Sequence, residues 1–290
     1  MYIIQQLVNG ICQGSIYALL AIGFTLIVGV VGLVTFAYGE TLMLGAMAAY
    51  YAAFAFHTNL FFSAVIAFTI SAIFGIIIHK IAYERFLDAP KSISLLCTIG
   101  CSMLIKNLAQ IICGVDTKAM PKIIDPVYYD INGVRFSNIH IVIIATAIVL
   151  ALFLSLILNK TKLGLQLRAV SQDRMAAALV GISVSKATMI GNCIGTGIGG
   201  VAGLLISIYL NTTSATMGSV IGIKAITCCV LGGLTNIPGA ALGGLVLGII
   251  ENLGIVVFPS TYRDLFAFAF LVIALMFKPQ GLFVWRKNNK

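Results

Sequence analysis

Glu40 is the only acidic residue among the first 83 of the 290 in the chain, and no other Asp, Glu, Lys or Arg occurs from position 1 to 79. A lone carboxylate in so apolar a stretch is costly at membrane depth and is a functional candidate for that reason. It suits contact with a substrate ammonium or fixing a bend; it equally suits a cap on the following helix, where the helix dipole favours an anion. Lys106, late in the apolar run 93–113, is expected to snorkel toward the outer interface. His57, His79 and His140 stand at span ends with no partner in sequence that suggests catalysis. The seven cysteines form no CxxC pair. Cys97 and Cys101 are one helical turn apart but lack a nearby His or carboxylate, so the reading is small buried hydrophobes and no metal site. No G-x-x-x-x-G-K-[ST] cradle exists, so the chain does not hydrolyse ATP alone. Gly195, Gly197 and Gly200 match G-x-G-x-x-G but lie within an apolar helix, not after a strand. With Gly191, Gly199 and Gly203 they make a stripe that lets another helix approach closely. No catalytic residue and no cofactor is expected.

The elements that position these residues follow from composition. The chain is 60% hydrophobic and 9% charged, against about 45–50% and about 25% in a soluble domain. A water-soluble enzyme is excluded. Eighteen Lys and Arg against nine Asp and Glu give a net charge of +9, which the positive-inside rule explains without nucleic acid. The bases cluster at Lys80, Arg85 and Lys91, across 160–186, and at Lys278, Arg286, Lys287 and Lys290. These are expected on the cytoplasmic side. In 115–138 the bases are balanced by acids, as in an external loop. The N-terminus lacks the basic region and cleavage site of a signal peptide.

Spans are read from the charges. Residues 139–158 lead inward, 188–210 return outward, and 265–277 end inside because the basic tail follows. The stretch 223–258 must therefore cross an even number of times. It is interrupted at 231–244, where glycines and Pro238 break helix propagation. Two half-helices dipping in from outside satisfy length and parity; a plain cytoplasmic turn between two short spans is the alternative. Near the N-terminus, 60–79 and 41–56 are spans, but the second covers only about 24 Å of a core about 30 Å thick. Residues 35–40 (TFAYGE) are thus expected in a sheltered bend below the membrane surface, preceded by one long span over 6–34. The expected fold is an all-α polytopic bundle in one transmembrane domain, 1–290. It has about eight hydrophobic helices, two of them broken or re-entrant, with a weak hint of an internal repeat. Broken helices mark transport paths. The two bends, with Tyr38, Gly39 and Glu40 in one and Thr235, Asn236, Pro238 and Gly239 in the other, are expected to face each other near a water-accessible cavity.

The basic segment 159–187 mixes polar and apolar residues. Within it, 173–180 reads as a short amphipathic helix stopped by Gly181 at a C-cap position. Asp173 and Arg174 supply charged ends, and Ala176, Ala177 and their neighbours allow close approach. A packed short helix in a cytoplasmic loop is what a membrane subunit needs to dock a peripheral partner.

MAAALVG, residues 175–181, resembles the EAA-x-x-x-G element of prokaryotic ABC-importer permeases, whose short helix docks on the ATPase subunit. Three longer stretches extend the likeness: QQLVNGICQGSIYALLAIGFTLIVGVVGLVTFAYGE, GLQLRAVSQDRMAAALVGI and LGGLTNIPGAALGGLVLGIIENLG. They are similar, in order and spacing, to the signature regions of the branched-chain amino acid permease family. The resemblance covers essentially the whole chain. It departs from the family pattern at Met175, where the element has glutamate, at Tyr38, where His is usual, and at Thr35, often Asn. The resemblance implies an inner-membrane permease subunit of a bacterial importer with a cytoplasmic C-terminus. It further implies a second related permease, two cytoplasmic ATPases and an extracytoplasmic solute-binding protein. The implied cargo is a branched-chain amino acid or a similar small polar solute, since urea- and amide-importing relatives share the scaffold. A rival reading, an ion-coupled secondary transporter, would want paired intramembrane carboxylates, and only Glu40 and Glu251 come near.

Overall fold

A computed structural model describes residues 2–86, 91–131, 134–257, 259, 263–278 and 281–282. Arg286, Lys287 and Lys290 of the basic tail lie outside the described residues. The described chain is an α-helical bundle with eleven α-helices. They are α1 (Tyr2–Val31), α2 (Tyr38–Phe56), α3 (Leu60–Ile78), α4 (Lys91–Cys113), α5 (Asn138–Lys160), α6 (Lys162–Gln172), α7 (Arg174–Leu179), α8 (Val184–Leu210), α9 (Met217–Gly232), α10 (Ile237–Val257) and α11 (Arg263–Phe277). Among the described residues, six helices are long and apolar enough to cross a membrane. The chain is a multi-pass membrane protein.

A helix that is apolar all round belongs in the middle of a bundle, and uncharged α1 is central. Its small residues let α10, running the other way, approach closely: a Cβ on Gly10 would lie 2.9 Å from the Ile249 Cα, one on Gly14 would lie 3.0 Å from the Leu245 Cα, and Gly248 abuts Gly14. The glycine stripe of α8 packs as read. Gly195 abuts Gly23 and Ile27 of α1, Gly199 abuts the Tyr38 ring, and Gly203 abuts Leu42. Without a hydrophobic drive between helices in lipid, such close backbone approach is a main source of association.

The two ends of the bundle differ. One end carries two short ribbons the sequence reading did not anticipate: β1 (Lys118–Ala119) pairs antiparallel with β4 (Thr212–Thr213), and β2 (Tyr128–Ile131) with β3 (Val134–Ser137). The Gln5 side chain joins α1 to the second ribbon, donating to the Arg135 carbonyl at 3.0 Å and accepting from its N–H at 2.8 Å. Ser137 and His140 then form a capping box at the start of α5. Lys118 lies here too, its ammonium 2.7 Å from the Tyr51 hydroxyl, an interaction that raises its pKa above the usual lysine value. The other end carries α6, α7, the end of α1 and the α9–α10 turn. The chain returns there after α11, where the Leu282 N–H donates to the Leu231 carbonyl at 2.7 Å.

Both breaks are present. Gly32, at φ +68°, ends α1, and the chain runs non-helically to Ala37. Thr35, Ala37, Tyr38 and Glu40 are all buried, as a sheltered bend requires. The following helix starts at Tyr38, so Tyr38, Gly39 and Glu40 form its first turn. The second break is the turn 233–236, opened by Gly233 at φ +104°. It reaches the level of Arg168 and Ser171 of α6, with which Thr235 and Asn236 share a cavity. Of the two helices it joins, α10 is long and apolar enough to cross a membrane, whereas α9 is a shorter apolar helix of 16 residues.

Candidate functional site

The α7 segment is built as its residues dictate. Asp173 caps it: its carboxylate accepts from the backbone N–H of Met175 at 2.8 Å and of Ala176 at 3.1 Å, a typical N-cap. Gly181, at φ +83°, closes the other end. Its N–H donates to the Ala178 carbonyl and the Ile182 N–H to that of Ala177, both at 3.0 Å, the paired bonds of a left-handed C-cap. The Arg174 guanidinium donates to the carbonyl of Val31, the last residue of α1. Asp173 and Arg174 are therefore used inside the subunit. Of the alanines, Ala177 faces inward at 3% exposure, while Met175, Leu179 and Val180 stand out at 81%, 89% and 74%. The outward face is apolar and is made by these larger side chains, with Ala176 also exposed.

The two bends do not come together. Thr235, Asn236 and Pro238 line a cavity of about 410 Å³ with Thr25, Gly29 and Arg168. Tyr38 instead donates from its hydroxyl to the Leu20 carbonyl at 3.0 Å and packs edge-on against Phe24. Gly39 faces α9, where an added Cβ would lie 2.9 Å from the Gly222 Cα. Gly239 packs within its own hairpin against Gly232 and Asn236. The reason is the long α1, whose faces separate the two: Leu20, Gly23 and Phe24 meet Tyr38, while Thr25, Leu26 and Gly29 meet the α9–α10 turn.

Glu40 is 1% exposed. One carboxylate oxygen receives the Ser102 hydroxyl at 3.4 Å; the other, Oε2, has no hydrogen-bond partner. Lys106 does not snorkel free. Its ammonium donates to the Ser219 hydroxyl at 3.2 Å, because the start of α9 lies within its reach.

A second polar cluster was missed by the sequence reading. Lys224 bridges Glu251 at 3.0 Å and Asp264 at 2.7 Å, and donates to the Tyr17 hydroxyl at 3.1 Å. Tyr17 and Gln13 donate to Glu251 Oε2 at 2.9 and 3.0 Å, and Asn252 donates to the Gln13 carbonyl oxygen at 3.0 Å. The cluster ties α1, α9, α10 and α11 together. Its signal was available: Lys224 is the only charged residue between positions 187 and 250, and an isolated charge in an apolar run needs a counter-charge from another helix.

Comparison with known proteins places this architecture. Residues 6–275 match the family described as branched-chain amino acid transport system / permease component. The chain is 34% identical over 291 residues to the permease protein BraD of the high-affinity branched-chain amino acid transport system of Pseudomonas aeruginosa, covering 96% of this chain and 95% of that one. It is 31% identical over 298 residues to the corresponding permease protein LivH of Escherichia coli K12, covering 97% and 96%. Among solved structures, PsaBC from Streptococcus pneumoniae in complex with Fab has a similar fold, with a TM-score of 0.50 at 12% identity over 96% of this chain and 91% of that chain.

Proposed function

The chain belongs to the branched-chain amino acid transport permease family, and on that premise we propose that it is the membrane-spanning subunit of an ATP-driven importer of branched-chain amino acids. The subunit sits in the inner membrane beside a second permease. The ribbon end faces the solute-binding protein outside, and the α6–α7 end and the C-terminus face the cytoplasm, where two ATPases bind. Glu40 and its neighbours in the first bend, and the Thr235–Gly239 hairpin, belong to the translocation path.

The observation that carries this reading is α7. A six-residue helix cannot hold itself together alone. This one is capped at both ends, tied to α1 through Arg174, and leaves Met175, Leu179 and Val180 uncovered by the subunit. Such an apolar face is a docking surface. Its link to Val31 transmits a push on α7 into the central helix just before the first bend. An ion-coupled transporter fits less well, because Glu251 is already paired with Lys224 and, among the described residues, no second free carboxylate stands beside Glu40.

Leu179→Glu tests the reading, since a charge on the docking face leaves the spans and both caps untouched. The expected result is normal membrane insertion with loss of ATPase-subunit co-purification and of leucine-stimulated ATP hydrolysis in liposomes. Full ATPase binding together with full uptake would remove α7 from the coupling role.

A further inference from the structure

Five polar residues of α4 fall on one stripe. Ser94, Thr98, Ser102, Lys106 and Gln110 recur every fourth position, while Met103, Leu104, Leu108, Ile111 and Ile112 are exposed and apolar. The stripe turns toward Glu40 on α2 and Ser219 on α9. Ser94 and Thr98 are fully buried, and the Ser94 hydroxyl, like Glu40 Oε2, has no hydrogen-bond partner. Buried polar atoms are nearly always satisfied, so two orphans along one stripe call for an explanation.

The charges call for one as well. Glu40 is buried against Ser102 near the middle of α4, and Lys106 stands one helical turn beyond Ser102 on the same helix. Yet the two make no ion pair among the described residues, and Lys106 rests on a neutral hydroxyl. A carboxylate and an ammonium that stay apart in a poorly polar setting leave Coulomb energy unused. Glycine lets α9 pack directly on this carboxylate: a Cβ on Gly218 would stand 2.7 Å from Glu40 Oε2, so a substrate head reaches Oε2 only when α9 shifts away from α2.

We infer that Glu40 and Lys106 are the two poles of a transient site for the zwitterionic head of an amino acid in transit. The substrate ammonium binds Glu40 Oε2 with Ser102 beside it, and the substrate carboxylate binds Lys106 with Ser219 beside it. One positive and one negative group match a zwitterion with no charge left over, which limits the desolvation cost that a lone buried charge carries. The unpaired resting state keeps both groups available. The apolar side chain takes no part in this contact, so the site reads the amino-acid head and leaves side-chain selection elsewhere. This inference rests on the importer reading above and adds the chemistry of its path.

The test is leucine uptake by the complete transporter, with its ATPases and binding protein, in proteoliposomes. Glu40→Gln and Lys106→Met should each lower the maximal rate at least tenfold. Half-saturating leucine and subunit assembly should not change, because the binding protein sets the first. Lys106→Arg should retain uptake, and it carries the test with Lys106→Met if Glu40→Gln fails to assemble. The double variant Glu40→Gln/Lys106→Met separates the site from a mere structural pair. Two groups holding opposite ends of a substrate give a double variant slower than either single one, whereas mutual partners give recovery once both are neutral. Recovery in the double variant, or wild-type rates in the singles, would overturn the site while leaving the importer reading intact. Absence of leucine uptake by the unmodified transporter would instead overturn the importer reading.

Discussion

Among the described residues, two carboxylates lie buried among the spans, and their surroundings treat them in opposite ways. Glu251 receives Lys224, Tyr17 and Gln13 and sits in a network that joins four helices. Glu40 is equally buried, but it has one weak hydroxyl contact and an oxygen with none. A satisfied buried charge fixes a unique packing, and removing one partner leaves a stranded charge. An unsatisfied one is maintained at a cost to stability, and such costs are found where a ligand completes the site. The difference fits an architectural role for Glu251 and supports the proposed transport role of Glu40.

The sharpest way to break this contrast is to strand Glu251. Lys224→Met should destabilise the subunit by about 3–5 kcal/mol, seen as loss of folded protein in detergent. Lys224→Met combined with Glu251→Gln should recover most of that yield, because the remaining donors of Tyr17 and Gln13 still find an amide oxygen. If Lys224→Met is as stable as the unmodified chain, the network is not architectural. A smaller effect is expected at Gly39, where α2 and α9 touch backbone to backbone at Gly218 and Gly222. Gly39→Ala should cost about 1–3 kcal/mol by overpacking, displace Glu40 from the stripe, and reduce uptake more than it lowers the melting temperature. An unchanged uptake rate would separate the bend from the path. The smallest effect belongs to Asp264, whose side chain is half-exposed. Asp264→Asn should change stability by less than about 1 kcal/mol, measured as a shift in detergent melting that is barely resolved; a loss rivalling that of Lys224→Met would make α11 a full member of the core.

What could be read from residue order depended on how local the physics was. The start of the short helix at Asp173, Gly181 as its stop and the glycine stripe of α8 are settled by neighbours within a turn or two, and each stands where the residues point. The spans and the sheltered bend at Thr35 follow from the absence of charge, which is also local. The Lys224 network joins positions more than 200 residues apart, such as Tyr17 and Lys224, and periodicity within one helix does not pair helices. The same limit explains why the two bends were expected to face each other: nothing in either segment reveals that α1 stands between them. The direction of Ala177 was likewise a tertiary matter, since a six-residue helix offers small residues on every side and only packing chooses which is covered. Lys106 was expected to snorkel because a long side chain at the edge of a span usually reaches water; its acceptor, Ser219, lies on α9 and could not be read from α4 alone.

The most direct measurement is the melting temperature and the leucine uptake rate of Glu40→Gln, taken on one preparation of the assembled transporter. An amide in place of a buried carboxylate with one oxygen unpartnered removes a charge that, on this account, the fold does not need. The account predicts a melting temperature equal to or above that of the unmodified complex, with uptake at least tenfold lower. Uptake at the unmodified rate, or a fall in melting temperature of the size seen for Lys224→Met, would contradict it.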